Sequence, residues 1–298
     1  MRIIKFLTSA LIILIFFIPV MNAQENPDTS YWKLGGLGSI SFSQVSLTNW
    51  AAGGENSISG NILANGLANY NKGKSSWENM LILGYGLMKQ GDLGVRKTDD
   101  RIDFASKYGF KATEKWFYTA MFRFYTQFTE GYAYPNDSVP ISTIMAPGYI
   151  NLSIGIDYKP SENFNVYFGP LSGKVTYVLD DDLSAKGAFG VEKGKNVRYE
   201  FGGLIKSMYT REIVKNVTFL TRLDLFSNYI RNPEKIDVSW EVLLNMKINK
   251  YLSASLNTLL IWDDDIKFTE YGDFGVETGS KSKVQFKEVF GIGLSASF

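Results

Sequence analysis

Apolar and polar residues alternate with a period of two along most of this chain. In the stretch 284–298, Val284, Phe286, Phe290, Ile292, Leu294, Ala296 and Phe298 share one side, interrupted only by Glu288. Lys287, Gly291, Gly293, Ser295 and Ser297 share the other. A two-residue period sends successive side chains to opposite faces of a strand, so this segment has a greasy face and a small, polar one. The same pattern predicts strands near 33–47, 56–70, 75–88, 99–112, 115–129, 147–159, 163–178, 196–211, 216–229, 236–248, 250–262 and 284–298, twelve in all.

The breaks between these segments alternate in length. Those at 71–74, 113–114, 159–163, 213–215 and 249–250 are short, and most are turn-like in composition. Those at 48–55, 89–98, 130–146, 179–195, 230–235 and 263–283 are longer on average. Bacterial membrane barrels have an even number of antiparallel strands, tight periplasmic turns and longer outer loops, and an even count puts both termini in the periplasm.

Alternation also assigns the faces. Trp116, Tyr118, Ala120, Phe122, Phe124 and Phe128 fall together, opposite Met121, Arg123, Tyr125 and Gln127. By the same rule Val238, Trp240, Val242, Leu244 and Met246, and then Leu252, Ala254, Leu256, Leu260 and Trp262, face outward. Trp77, Trp116, Tyr158 and Trp262 lie near strand ends, where the two interfacial girdles of a barrel sit.

Composition narrows the class further. Aromatic residues make up 15%, high for a solvated domain. Hydrocarbon accepts only helices or closed barrels, because every backbone group must be satisfied internally. The first residues have the layout of a secretory signal: Arg2 and Lys5, an apolar run from Phe6 to Val20, and Met21-Asn22-Ala23 before Gln24. That run is shorter than the roughly 20 residues of a spanning helix, and no later apolar run reaches that length. The expected fold is all-β, a transmembrane antiparallel β-barrel of about twelve strands, with a cleaved signal peptide at 1–23 and a single barrel domain at 24–298. Cysteine is absent, which excludes disulfides and a lipid-anchored precursor. Losing 1–23 removes two basic residues and no acids from totals of 31 and 30, so the mature chain is nearly neutral and unsuited to nucleic acid.

The polar faces collect Glu78, Asp103, Lys107, Lys111, Arg123, Arg198, Glu200, Lys206, Arg222, Asp224, Asp237, Glu241 and Lys247 toward the axis. Such charges either pair into a filled interior or line a water-filled path. The narrow bore of the barrel favours a closed or narrowly gated lumen.

Three outer loops stand out. Gly187-Ala-Phe189-Gly-Val-Glu192-Lys-Gly194 matches Gly272-Asp-Phe274-Gly-Val-Glu277-Thr-Gly279 at six of eight positions, and each copy follows a triple aspartate, 180–182 and 263–265. Asp180, Asp182, Asp263 and Asp265 could hold a hard cation through oxygen ligands. The triplets lack the one-three-five spacing and distal Glu of a calcium loop, which favours acids that cap a strand and glycines that make a compact turn. The first outer loop carries Trp50 followed by Gly53 and Gly54, a pairing that suits a plug at the barrel mouth more than a ligand contact. The segment 130–146, with Tyr132, Tyr134 and Ile144, is apolar for an exposed loop and either folds over the lumen or meets another protein.

With no His and no Cys, a Ser-His triad, a thiol nucleophile and ordinary zinc chemistry are unavailable. Gly84-Tyr85-Gly86 and Gly291-Ile292-Gly293 sit within strands, where they relieve crowding or bending.

The Asn49-Trp50-Ala51-Ala52-Gly53-Gly54 loop with Asn56, the Gly-Phe-Gly-Val-Glu loops and the closing strand together resemble the DUF3078 family of Bacteroidota outer-membrane proteins. The resemblance spans almost all of the mature chain and implies a barrel in the outer membrane, with no catalytic residues to carry over. The ending on Phe298 also resembles the closing strand of bacterial outer-membrane barrels, which implies the barrel-insertion machinery as a partner during biogenesis and outer-membrane lipid as the surroundings. The function expected is non-enzymatic and without cofactor: a narrow or gated channel, or a binding protein, for a small solute. The alternative is a sealed accessory barrel that docks an envelope protein.

Overall fold

The computed structural model describes residues 31–47, 55–249, 252–271 and 277–297. The predicted signal segment 1–23, the loop residues Trp50, Gly53 and Gly54, and also Phe274 and Phe298, lie outside the described residues. The strands are β1 (Trp32–Val45), β2 (Ser57–Lys72), β3 (Ser75–Gln90), β4 (Arg96–Lys111), β5 (Trp116–Thr126), β6 (Gly131–Tyr132), β7 (Pro140–Ser142), β8 (Gly148–Ser161), β9 (Phe164–Tyr177), β10 (Val197–Val214), β11 (Val217–Asn228), β12 (Ile236–Lys247), β13 (Leu252–Trp262), β14 (Lys267–Tyr271), β15 (Glu277–Ser282) and β16 (Gln285–Ser297). A short helix, α1 (Asp181–Lys186), lies between β9 and β10.

Twelve of these strands close into one antiparallel barrel, each paired with the next barrel strand in the chain, and β16 returns to pair with β1. Closure is seen in the register Ser39↔Ser295 and Ile40↔Leu294. All twelve predicted segments are these barrel strands, displaced by a few residues at their ends. At 11 to 18 residues each, they match or exceed the roughly 9–11 residues that cross a bilayer.

The outer surface is apolar. Ile62, Leu81, Tyr118, Leu152, Ile154, Phe201, Phe286, Phe290 and Leu294 all expose their side chains to the surroundings. A closed barrel with this exterior spans a membrane, since exposing so much contiguous apolar surface to water would cost about 25 cal/mol per Å². At the short-turn end the aromatic girdle includes Trp32, which packs on Tyr70 and Trp77 with ring centroids 5.2 and 5.8 Å apart. Trp116 and Tyr158 continue it at 4.6 Å. Polar groups on this face satisfy one another: Trp77 Nε1 donates to Ser106 Oγ, Ser106 Oγ donates to Asn79 Oδ1, and Asn79 Nδ2 donates to the carbonyl of Ala68.

The long loops differ from their reading as simple connections. The segment 130–146 contains the β6–β7 hairpin, and 263–283 contains the β14–β15 hairpin. In 179–195 the three acids begin a helix where a capped strand was expected: Asp180 is the N-cap of α1, accepting from the amide of Leu183 at 2.9 Å, with Asp181 and Asp182 in the first turn. Asp180 belongs to the preferred N-cap set, and the helix stops at Gly187 in the left-handed region (φ 70°), which glycine adopts without strain. Helix and loop bury a small apolar cluster of Ala146, Val178, Leu183 and Val191, with Ala188 and Phe189 packed against it.

Candidate functional site

The polar faces of the strands converge on the barrel axis, and their charged side chains form a network in three tiers. Nearest the short turns, Lys159 on β8 reaches Glu78 on β3 at 2.7 Å. Lys107 on β4 pairs with Asp157 on β8, and Asn165 Nδ2 donates to the same carboxylate. Asp157 is fully buried.

The middle tier is organised by Asp103, 1% exposed. Arg123 donates to it from Nε and from one terminal nitrogen, both at 2.9 Å, in the bidentate geometry that makes arginine–carboxylate pairs strong. Arg101 donates to it from the same strand at 2.6 Å. Arg123 also stands 3.7 Å from Asp224 on β11. Strands β8, β9 and β10 separate β5 from β11, so this contact crosses the lumen. Asp224 binds Lys206 as well, and Arg222 meets Glu241, which accepts from Asn257 Nδ2 at 2.9 Å.

At the long-loop end, Lys174 on β9 lies 3.7 Å from Glu200, 3.2 Å from Asp237 and 3.4 Å from Asp263. Arg198 binds Glu200 at 2.7 Å and also Asp265. Lys287 on β16 crosses to Asp99 on β4 at 2.6 Å. Outside the barrel, Asp264 accepts from Lys235 at 2.6 Å, from Ser282 and from Lys267, and these partners hold its carboxyl down at about 2.

The wall is packed as well as charged. At β8–β9 the Tyr167 side chain is 1% exposed, and its hydroxyl and the Ser153 hydroxyl share a hydrogen bond of 2.7 Å. Gly169 permits this approach: a Cβ there would stand 2.1 Å from Ser153 Oγ and 2.7 Å from the Tyr167 ring. Gly86 does the same for Asn61, whose amide oxygen would lie 1.6 Å from an added Cβ.

Of the thirteen charged residues assigned to the axis from the sequence, eleven join this network: Glu78, Asp103, Lys107, Arg123, Arg198, Glu200, Lys206, Arg222, Asp224, Asp237 and Glu241. Lys111 pairs instead with Glu114 at the turn, at 3.0 Å. The acids offered as cation ligands are engaged elsewhere, Asp180 as a helix cap and Asp263 and Asp265 with Lys174 and Arg198. Among the described residues no three acids converge as a metal site would require. Phe189 packs against the loop cluster, Glu192 lies 3.6 Å from Arg231, and Glu277 opens β15. At the described end of the second copy, Glu277–Gly279 lie in β15, whereas their counterparts 192–194 in the first copy lie outside any strand; residues 272–276 lie outside the described residues.

Sequence reasoning missed Arg101, Asp157, Lys159 and Lys174. Arg101 shares parity with Asp103, and Asp157 and Lys159 continue the alternation of β8, so their signal was present. Lys174 was harder to place, because a register shift between Ile154 and Ile156 flips the parity of β9 at Gly169-Pro170.

Among solved structures the chain is similar to the COG4313 outer membrane channel from Pseudomonas putida F1, at 11% identity and a TM-score of 0.41 over 91% of this chain and 96% of that one. It is also similar to the NanC porin, at 10% identity and a TM-score of 0.39 over 87% and 98%. A third is the translocator domain of the autotransporter NalP from Neisseria meningitidis, at 8% identity and 0.38 over 99% and 98%. At this distance they say nothing about what this barrel handles. No curated protein matches the chain. Residues 42–132, from the end of β1 through the Asp103–Arg123 pair, match the family described as protein of unknown function (DUF3078), the family that the sequence motifs resemble.

Proposed function

We propose that this chain is a non-enzymatic outer-membrane barrel whose resting lumen is shut by ion pairs and which opens as a narrow channel for a small solute. The observation that supports this most is Arg123, which joins Asp103 on β4 to Asp224 on β11. An obstruction made of charges differs from an apolar plug. Its groups are already hydrophilic, so water or a charged solute can replace each partner in turn, and separating the pair does not expose grease. The apolar exterior supports a bilayer setting, and tight turns on one side with long loops on the other support a periplasmic position for the turns.

Planar-bilayer recording of the purified barrel tests the reading. Wild type gives small, brief conductance steps, and Arg123→Ala, which removes the cross-lumen bridge, gives larger or longer ones. Silence from both proteins overturns the channel and leaves the sealed barrel. One feature favours that second reading: Val139, Ile141 and Ile144 expose about half of their surface on the outer loop between β5 and β8, an apolar patch suited to an envelope partner. Co-purification of a partner in mild detergent, lost when these three become Ser, would support it.

A further inference from the structure

We infer that the solute is a small anion, a carboxylate or phosphate, bound at mid-barrel by the arginines of the cross-lumen network; this rests on the channel reading above. The tiers differ in balance. In the middle, Arg101, Arg123, Lys206 and Arg222 face Asp103, Asp224 and Glu241, four cations against three carboxylates. The carboxylates are shared: Asp103 serves both Arg101 and Arg123, and Asp224 serves both Arg123 and Lys206. Glu241 divides itself between Arg222 and Asn257.

Donors therefore outnumber acceptors in the middle tier. Guanidinium carries five N–H donors and no acceptor. The Nε of Arg101 is buried and, among the described residues, has no hydrogen-bond partner. An unmet charged donor in a low-dielectric interior is unfavourable, and an oxyanion such as a carboxylate or phosphate supplies the acceptor oxygens that match it.

The outer tier has the opposite balance. Lys174, Arg198 and Lys287 face Glu200, Asp237, Asp263, Asp265 and Asp99, three cations against five carboxylates, and every one of those acids lies within ion-pair reach of one of the three bases. The inner tier is even, Lys107 and Lys159 against Glu78 and Asp157. The excess positive charge is thus confined to the level of Arg101 and Arg123, and low-dielectric walls focus its field along the axis. Rings of Arg or Lys at a constriction select anions over cations for this reason.

The test is the reversal potential of the reconstituted barrel in a potassium chloride gradient, on wild type, Arg101→Gln and Arg101→Lys, each checked for folding by heat-modifiable gel migration. A chloride-to-potassium permeability ratio above one in wild type, falling toward or below one in Arg101→Gln and retained in Arg101→Lys, supports the inference. A wild-type ratio at or below one overturns it while leaving the channel reading intact. A ratio above one that Arg101→Gln does not move also overturns it, since the selectivity then lies elsewhere. If the bilayers are silent, calorimetric titration of the detergent-solubilised barrel with inorganic phosphate and with succinate decides. Binding lost in Arg101→Gln keeps the anion site and removes the channel, whereas no binding of either probe overturns both.

Discussion

In the lumen, Asp103, Asp157 and Glu200 are almost wholly buried, and each is met by cations from its own or other strands. In the outer loops, Ala146, Val178, Leu183 and Val191 are buried just as deeply, against one another and without a charge among them. Both regions exclude water, but they do so by different physics. The apolar cluster gains by removing hydrocarbon from solvent, and its loss is local to two loops. The ion network spans strands distant in the chain, so its loss is felt around the whole barrel, and each charge is tolerable only while its partners remain. A lumen built in this way is stable when closed and still compatible with water, which a greasy core would not be.

The sharpest test of this contrast removes one carboxylate from the centre. Asp103→Ala leaves Arg101 and Arg123 facing each other without their shared acid, and we expect a loss of about 3–5 kcal/mol in urea unfolding of the detergent-solubilised barrel. An unchanged midpoint would mean that the lumen is already wet and the contrast false. The apolar side comes next. Leu183→Ala should cost about 2 kcal/mol, at the low end for a buried leucine because the cluster is small. Its effect should appear as faster proteolytic cleavage within 179–195, with the barrel's own unfolding transition unmoved; a shift of that transition would show that the loops and the barrel unfold as one.

The smallest effect lies at the solvent-exposed rim. Asp264 has its carboxyl held down at about 2 by Lys235, Ser282 and Lys267, against about 3.8 when unfolded. A group depressed on folding contributes stability above its unfolded value and loses it as pH falls through the folded one. The anchoring of the 263–284 loop should therefore persist at pH 5 and weaken between roughly pH 4 and pH 2. Protease susceptibility of that loop across this window should be acid-dependent in wild type, and Asp264→Asn should be susceptible throughout and flat with pH. Solvent screening keeps the effect modest.

Much of this arrangement was legible in the alternation. The parity of Trp116, Tyr118 and Phe122 against Arg123 marked the inner face of β5, and the same rule marked Glu241 on β12. What was not legible falls into two kinds. Lys174 was obscured by a bulge, which adds a residue and reverses parity beyond it. Helix α1 and the β14–β15 hairpin lie in segments too short and too glycine-rich for a periodic signal, so they read as loop. The ends of the motif copies show the limit most directly, since Glu277–Gly279 lie in β15 while the matching residues 192–194 lie outside any strand.

By itself the sequence determined the class of fold, the number of barrel strands and the face on which most of the charges sit. A two-residue period is a local property of the chain, and hydrocarbon permits no other way of spending it. Which charge meets which was decided only by closure. Arg123 and Asp224 are far apart in sequence and sit on strands four apart around the ring, and they meet because β16 pairs with β1 and bends the sheet into a ring narrow enough for side chains to reach across.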